Sequence, residues 1–160
     1  EMGVDDRVSF INDFLTQSEI IDYLLASDLY LNPYPNRNQV SSGTLSYALG
    51  CGKAIISTPF DHALEVLGGP GVTMTIRNGK KLLIGERGIL VPFRDPEAIS
   101  EAITLLIENP RLKGELERRA LNYVSNTSTW PKVANRHLNL YRGVVSEEVY
   151  LPQYTVPRKF

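Results

Sequence analysis

Val40-Ser-Ser-Gly-Thr-Leu-Ser-Tyr-Ala-Leu-Gly-Cys-Gly-Lys-Ala-Ile-Ile-Ser-Thr-Pro59 reads as loop, helix, glycine stop, buried strand and proline exit. Ser41, Ser42, Gly43 and Thr44 open the helix, which runs to about Leu49 and stops at Gly50-Cys-Gly52, a common way for helices to end. Ala54-Ile-Ile-Ser57 is the strand. Backbone N–H groups at a helix start lack intrahelical partners and carry the positive end of the macrodipole. Following an apolar strand, such an opening is a natural seat for phosphate. A nucleotide or sugar phosphate is therefore the first ligand class to consider.

Outward from this stretch, apolar runs of strand length alternate with segments of helical period. Val8-Ser-Phe-Ile11 reads as a short strand. Ser18 caps a helix whose Ile20, Ile21, Leu24 and Leu25 share one face. Asp28-Leu-Tyr-Leu-Asn32 is a second strand, stopped by Pro33. A short helix follows from Asp61 to about Leu67, then a strand at Ile89-Leu-Val91. Asp95-Pro96-Glu97 combines an N-cap, a proline in the first turn and an acid near the positive pole. Behind it Ile99, Ala102, Ile103, Leu106 and Ile107 form an apolar stripe. Asn109-Pro110 opens another helix, with Leu112, Leu116, Ala120 and Tyr123 inward. A last helix from about Pro131 to Val145 carries Val133, Leu138 and Tyr141, and the proline-rich tail Tyr150–Phe160 is expected along a surface. Strand–helix alternation with short apolar strands predicts an α/β fold, a parallel sheet with helices on both faces.

One segment breaks the rhythm. Val72 to Ile84 alternates on its first arm and has Asn78-Gly79 at its centre, a strong hairpin signal. It is expected as an insertion on the sheet edge away from the strands' carboxyl ends, an ornament or contact surface.

The 160 residues suit one domain that buries about two thirds of its unfolded surface. Seventeen basic and eighteen acidic side chains leave a net charge of −1, with no basic excess for a nucleic-acid backbone. No run approaches the ~18 apolar residues of a membrane span. The single cysteine, Cys51, excludes an intramolecular disulfide and fits a reducing, cytoplasmic compartment. Because the chain begins at Glu1, it is expected to be a fragment of a longer protein; its oligomeric state is not legible.

Ligands of open α/β sheets bind at the strands' carboxyl ends. Four loops gather there: Asn12-Asp-Phe14, Pro33 to Thr44, Thr58 to His62, and Phe93-Arg94. Each has a plain structural reading as well. Asn12 and Asp13 form turns as readily as they meet a ligand. Ser41, Ser42 and Thr44 serve as helix caps, stabilising by about 0.5–2 kcal/mol. Gly43 is harder to explain that way, since glycine in a helix costs up to ~1 kcal/mol against alanine. Close approach of a ligand to the backbone accounts for it. His62 can act as acid, base or phosphate donor, or stand as a solvated surface residue. His137 reads as structural, and Lys53 and Arg94 as anion partners or ordinary surface charge. Two separated histidines and one cysteine make no metal site. Cys51, behind a helix C-terminus, is a poor nucleophile.

Seven segments occur in a telling order: Asp6-Arg-Val-Ser-Phe10, Ile20-Ile-Asp-Tyr-Leu24, Ala26-Ser-Asp-Leu-Tyr-Leu-Asn-Pro33, Ala48-Leu-Gly-Cys-Gly-Lys-Ala-Ile-Ile56, Glu65, Gly88-Ile-Leu-Val-Pro92 and Asp95-Pro-Glu-Ala-Ile99. With Trp130-Pro-Lys-Val-Ala134 and Leu140-Tyr141 they resemble the carboxyl-terminal lobe of family-4 (group 1) glycosyltransferases, over roughly residues 4–145. The resemblance implies GT-B architecture: two Rossmann-like lobes around a cleft, no metal, no cofactor, and retention of anomeric configuration. The substrate would be a nucleotide-diphosphate sugar, passed to a glycan, lipid or small-molecule acceptor in a hexosyltransferase-like reaction. Residues 1–145 would then be part of the donor-binding lobe, without its first strand–helix unit. The amino-terminal lobe of the same polypeptide would be their partner, with residues 146–160 as a tail.

Carried over by position, Asn12 and Phe14 would face the nucleobase, and the amides of Ser42, Gly43 and Thr44 the diphosphate or sugar. Glu65 falls on a family-typical glutamate near the donor. The family commonly has two further glutamates, one touching the sugar and one the ribose; Gln39 and Tyr47 stand at those positions. Gln39 can still bond sugar hydroxyls but cannot stabilise developing positive charge, and Tyr47 cannot accept both ribose hydroxyls as a carboxylate would. The expectations are thus a donor-binding part of a transferase or, as alternatives, a catalytically degenerate nucleotide-sugar or protein-binding module and a GT-B-shaped epimerase. The chain alone is expected to be inactive.

Overall fold

Short apolar runs stopped by proline or glycine become strands in the computed structural model, which describes residue 3 and residues 5–146. β1 (Leu29–Asn32) and β2 (Ala54–Ser57) run parallel, with Leu29 opposite Ala54 and Asn32 opposite Ser57. β5 (Ile89–Leu90) joins β2 in parallel through Ile56 and Ile89. Between them in sequence lies the expected hairpin, β3 (Thr73–Arg77) and β4 (Lys80–Ile84). Asn78 and Gly79 turn it with φ of 46° and 77°, the double left-handed pattern that matches the strands' twist.

The hairpin is more than an ornament. β4 pairs antiparallel with β5, Leu83 opposite Leu90 and Ile84 opposite Ile89, and Leu82 is fully buried. The result is one five-stranded mixed sheet in the order β1-β2-β5-β4-β3. The tight connection Gly85 to Gly88, closed by Gly85 N–H donating to Gly88 O at 2.9 Å, folds β4 back beside β5.

The expected strand Val8–Ile11 is absent; these residues are exposed and irregular. Alternation is compatible with a strand, but a strand needs a neighbour for its backbone groups. α1 (Gln17–Ala26) starts at Thr16 rather than Ser18. Thr16 Oγ1 accepts from Glu19 N–H at 3.3 Å while Glu19 Oε2 accepts from Thr16 N–H at 2.8 Å, a reciprocal box open to Thr16 and not to Ser18. Of that helix's apolar face only Leu24 is buried, and Leu25 is exposed. α2 (Gly43–Gly50) follows β1, and a single α turn, α3 (Asp61–Ala63), continues as a π turn over Leu64–Gly68. Lys53 Nζ donates to Leu25 O (3.2 Å) and Ser27 O (2.9 Å), neutralising the carbonyl end of α1, so it serves the fold. Arg94 is exposed at φ 56°, without a hydrogen bond among the described residues.

α4 (Pro96–Glu108) and the first turns of α5 (Pro110–Thr127) cover one sheet face. Ala98, Ala102 and Leu106 of α4 and Leu116 of α5 pack with Ala54, Ile56, Leu82, Ile89 and Val91. Ile55, of opposite parity, points to the other face with its register partner Tyr30.

Asp95 caps α4, accepting from Ala98 N–H at 3.0 Å and from Lys80 Nζ at 3.0 Å. The Lys80 bond, and then the Ala98 amide, hold its carboxyl below the ordinary aspartate value. A depressed carboxylate stabilises the fold above its unfolded pKa of ~3.9 and loses that contribution as pH falls through the lower folded value. Asp95→Asn keeps a good cap. Its urea midpoint should therefore fall less steeply than wild type's between about pH 4 and pH 2; parallel curves would rule this linkage out.

The chain divides into two units, Glu1–Leu121 and Asn122–Phe160. The second comprises the end of α5 and α6 (Trp130–Val145). Within it Arg136 donates to Thr127 O, and the rings of His137 and Tyr141 lie 6.3 Å apart. Leu138 and Tyr141 are exposed and Val133 half-buried. The expected tail, from 147 on, lies outside the described residues. Among the described residues no helix is long and apolar enough to cross a membrane.

Candidate functional site

The chain leaves β1 and β2 at the same end of the sheet, and their two loops are tied into one wall. Ser57 Oγ donates to Asn32 O (3.1 Å) and Thr58 Oγ1 to Tyr34 O (2.8 Å). The Tyr34 and Phe60 rings meet edge to face, centroids 5.0 Å apart. Arg37 pairs with Asp61 at 2.6 Å; both are exposed, so the pair orients the rim more than it stabilises it.

Against this wall α2 opens. Its N-cap is Ser42, whose Oγ accepts from Leu45 N–H at 3.2 Å; Ser41, beside it, is exposed. Ser42 N–H donates to His62 Nδ1 at 3.2 Å. Since Nδ1 accepts, the ring proton lies on Nε2. The amides of Gly43 and Thr44, in the first turn, have no partner among the described residues. A Cβ added at Gly43 would meet nothing within 4 Å, so that side of the first turn is open. Thr44 Oγ1 accepts from Tyr30 Oη at 2.7 Å and lies 3.3 Å from Ser42 Oγ. Burial raises the Tyr30 pKa, with the Thr44 bond opposing, which keeps the phenol a donor at neutral pH. Gln39 Nε2 donates to Ser41 O.

The opening thus offers two unclaimed amides at the positive end of a helix, flanked by hydroxyls and an imidazole. That arrangement suits an anion with hydroxyl-bearing neighbours. Gln39, Ser42, Gly43 and Thr44 come together here. Tyr47 stands half-buried one turn along α2, and Glu65 is exposed in the π turn beyond His62. Asn12 is exposed and Phe14 is 99% exposed; neither makes a hydrogen bond or ring contact with this group. His62, ambiguous in sequence, belongs to the cluster through Ser42. Tyr30 and Asn32 were not anticipated, although two polar side chains on an apolar strand, both on the face of Ile55, were the available signal.

Among the described residues no group of three or more His, Cys, Asp or Glu side chains gathers as a metal site. A mostly apolar cavity of about 420 Å³ lies at the other end of β1, lined by Asp28, Leu29, Leu106, Ile107, Pro110 and Lys113. Asp28 and Lys113 are its charged lining residues, but it lies away from the carboxyl ends of the strands, which remain the better seat.

No protein-family model matches the chain. It is 29% identical over 121 residues to an uncharacterized glycosyltransferase of Methanocaldococcus jannaschii, covering 76% of this chain and 27% of that protein. Its structure superposes on sucrose-phosphate synthase from Thermosynechococcus elongatus with a TM-score of 0.67 at 21% identity, over 90% of this chain and 32% of the other. The fold is a Rossmann-like α/β fold, matching part of that synthase. The chain spans about a quarter to a third of the length of these two proteins.

Proposed function

We propose that the chain is the donor-binding part of a retaining glycosyltransferase, the carboxyl-terminal lobe of a family-4-like enzyme. The parent moves a sugar from a nucleotide diphosphate to a glycan, lipid or small-molecule acceptor. The observation that carries this reading is the pair of unclaimed Gly43 and Thr44 amides at the start of α2, with nothing within 4 Å of where a Gly43 Cβ would stand. Similarity to a glycosyltransferase supports it. In this reading Ser42, Gly43 and Thr44 receive the diphosphate, Gln39 and Glu65 lie toward the sugar, Tyr47 toward the ribose, and Asn12 and Phe14 toward the base. Metal independence and a cytoplasmic setting go with it.

A helix N-terminus contributes up to ~2 kcal/mol toward an anion, and two or three charge-assisted bonds add ~1.5–3 kcal/mol each before ordering costs. A net of roughly 4–6 kcal/mol corresponds to a Kd near 0.1–1 mM. The 160-residue chain should therefore bind UDP, GDP or ADP in that range by calorimetry and transfer no sugar, while the full-length protein does both. Transfer by the chain alone, or no binding by either, contradicts the reading.

A specific observation favours the degenerate alternative: Gln39 and Tyr47 stand where carboxylates are expected, and the Gln39 amide is turned onto Ser41 O. A full-length protein that binds donor yet neither transfers nor hydrolyses it would establish that alternative.

A further inference from the structure

Asn32, the last residue of β1, is 6% exposed, and its Nδ2 is buried without a hydrogen-bond partner among the described residues. Leaving such an amide unpaired costs the fold the desolvation of that group. Its register partner is Ser57, and Tyr30, two residues earlier, projects from the same face of the strand. That face carries the opening of α2, because the Tyr30 hydroxyl reaches Thr44 in the first turn. Asn32 therefore lies on the helix-opening side, one strand repeat nearer the carboxyl end. A second donor stands at the same helix opening. His62 Nδ1 is occupied by Ser42 N–H, so Nε2–H is the ring's remaining hydrogen-bonding group, and it has no partner among the described residues.

The free amides of Gly43 and Thr44 carry the helix's partial positive charge and suit phosphate. Asn32 and His62, in this tautomer, are neutral donors, which suit uncharged hydroxyl oxygens beside the phosphate. We propose that the Asn32 side-chain amide, turned about χ2 so that its orphaned Nδ2 faces the opening, and His62 Nε2–H donate to hydroxyl oxygens of the donor's sugar, and are the residues that position it. This rests on the donor-binding reading above. Gln39 Nε2 is engaged by Ser41 O, so β1 and α3 supply hydrogen-bond donors beside the Gln39 position.

Two variants separate positioning from structure. Asn32→Leu removes the buried orphan while keeping volume, so the free protein should melt no lower than wild type. His62→Asn keeps an acceptor near Nδ1 for Ser42 N–H but deletes the outward donor. In the full-length protein, calorimetry would compare UDP, GDP and ADP with their glucose, galactose, mannose and N-acetylglucosamine esters. Each variant should weaken the tightest ester about tenfold, leaving the parent nucleotide within twofold. Unchanged ester affinity in both variants overturns the proposal, as does equal weakening of ester and nucleotide, or an Asn32→Leu protein that melts far lower. If wild type binds no nucleotide at all, the donor-binding reading itself fails. If it binds nucleotides but no ester more tightly, only the sugar-positioning proposal falls.

Discussion

Gly85→Ala should destabilise the protein by about 2–4 kcal/mol, from overpacking and from the hydrogen bonds it displaces. A Cβ there would lie 2.3 Å from Leu67 O and 3.0 Å from Gly68 Cα, backbone atoms that no side-chain rotation can move. The same contact is held by Glu86 N–H to Gly68 O (2.7 Å) and Arg87 N–H to Leu67 O (3.0 Å), so relief of the clash pulls on both bonds. Against a typical net stability of roughly 5–15 kcal/mol, that is a large fraction. The segment pushed away is the π turn that follows His62 and carries Glu65, so the candidate site should loosen as well. Urea unfolding of Gly85→Ala beside wild type checks this. A midpoint unchanged within error would mean that the turn is not the fixed point between β4, β5 and the π segment.

Gly43→Val should do the reverse, sparing the fold and removing the ligand. Its Cβ meets nothing within 4 Å, and valine is a better helix former than glycine, so stability should change by less than ~1 kcal/mol. The branched side chain would instead fill that open side of the first turn, beside the two unclaimed amides. Losing one or two charge-assisted bonds should weaken nucleotide binding about 10- to 100-fold. Gly43→Ala makes a graded control, with a smaller loss. If Gly43→Val binds as wild type does, the opening of α2 is not the anion seat.

Much of the fold was legible where local chemistry alone decides structure. β2 falls at Ala54–Ser57 as read, because an apolar run lies between a glycine stop and a proline exit. The hairpin turn at Asn78-Gly79 was equally plain, since few residue pairs take left-handed φ twice. What was not legible depends on partners distant in sequence. Val8–Ile11 has strand-like composition but no strand to pair with among the described residues. The π turn is closed against Gly85, some twenty residues later, which no periodicity records.

The site divides the same way. Ser42, Gly43 and Thr44 were recognisable because capping residues and an early glycine carry their reason with them. The choice of Ser42 over Ser41 as the cap could not be read, because the amide that Ser42 gives to His62 lies across 20 positions. Asn32 was hidden by the apolar run that contains it. Its significance comes from burial without a partner, a property of the packed sheet.

The most direct test of the central claim is a 15N amide titration of the protein with UDP, GDP and ADP. The account predicts that at least one nucleotide shifts Ser42, Gly43 and Thr44 most, with smaller changes along α2. Shifts confined to the β3–β4 hairpin, or none at millimolar nucleotide, would contradict it.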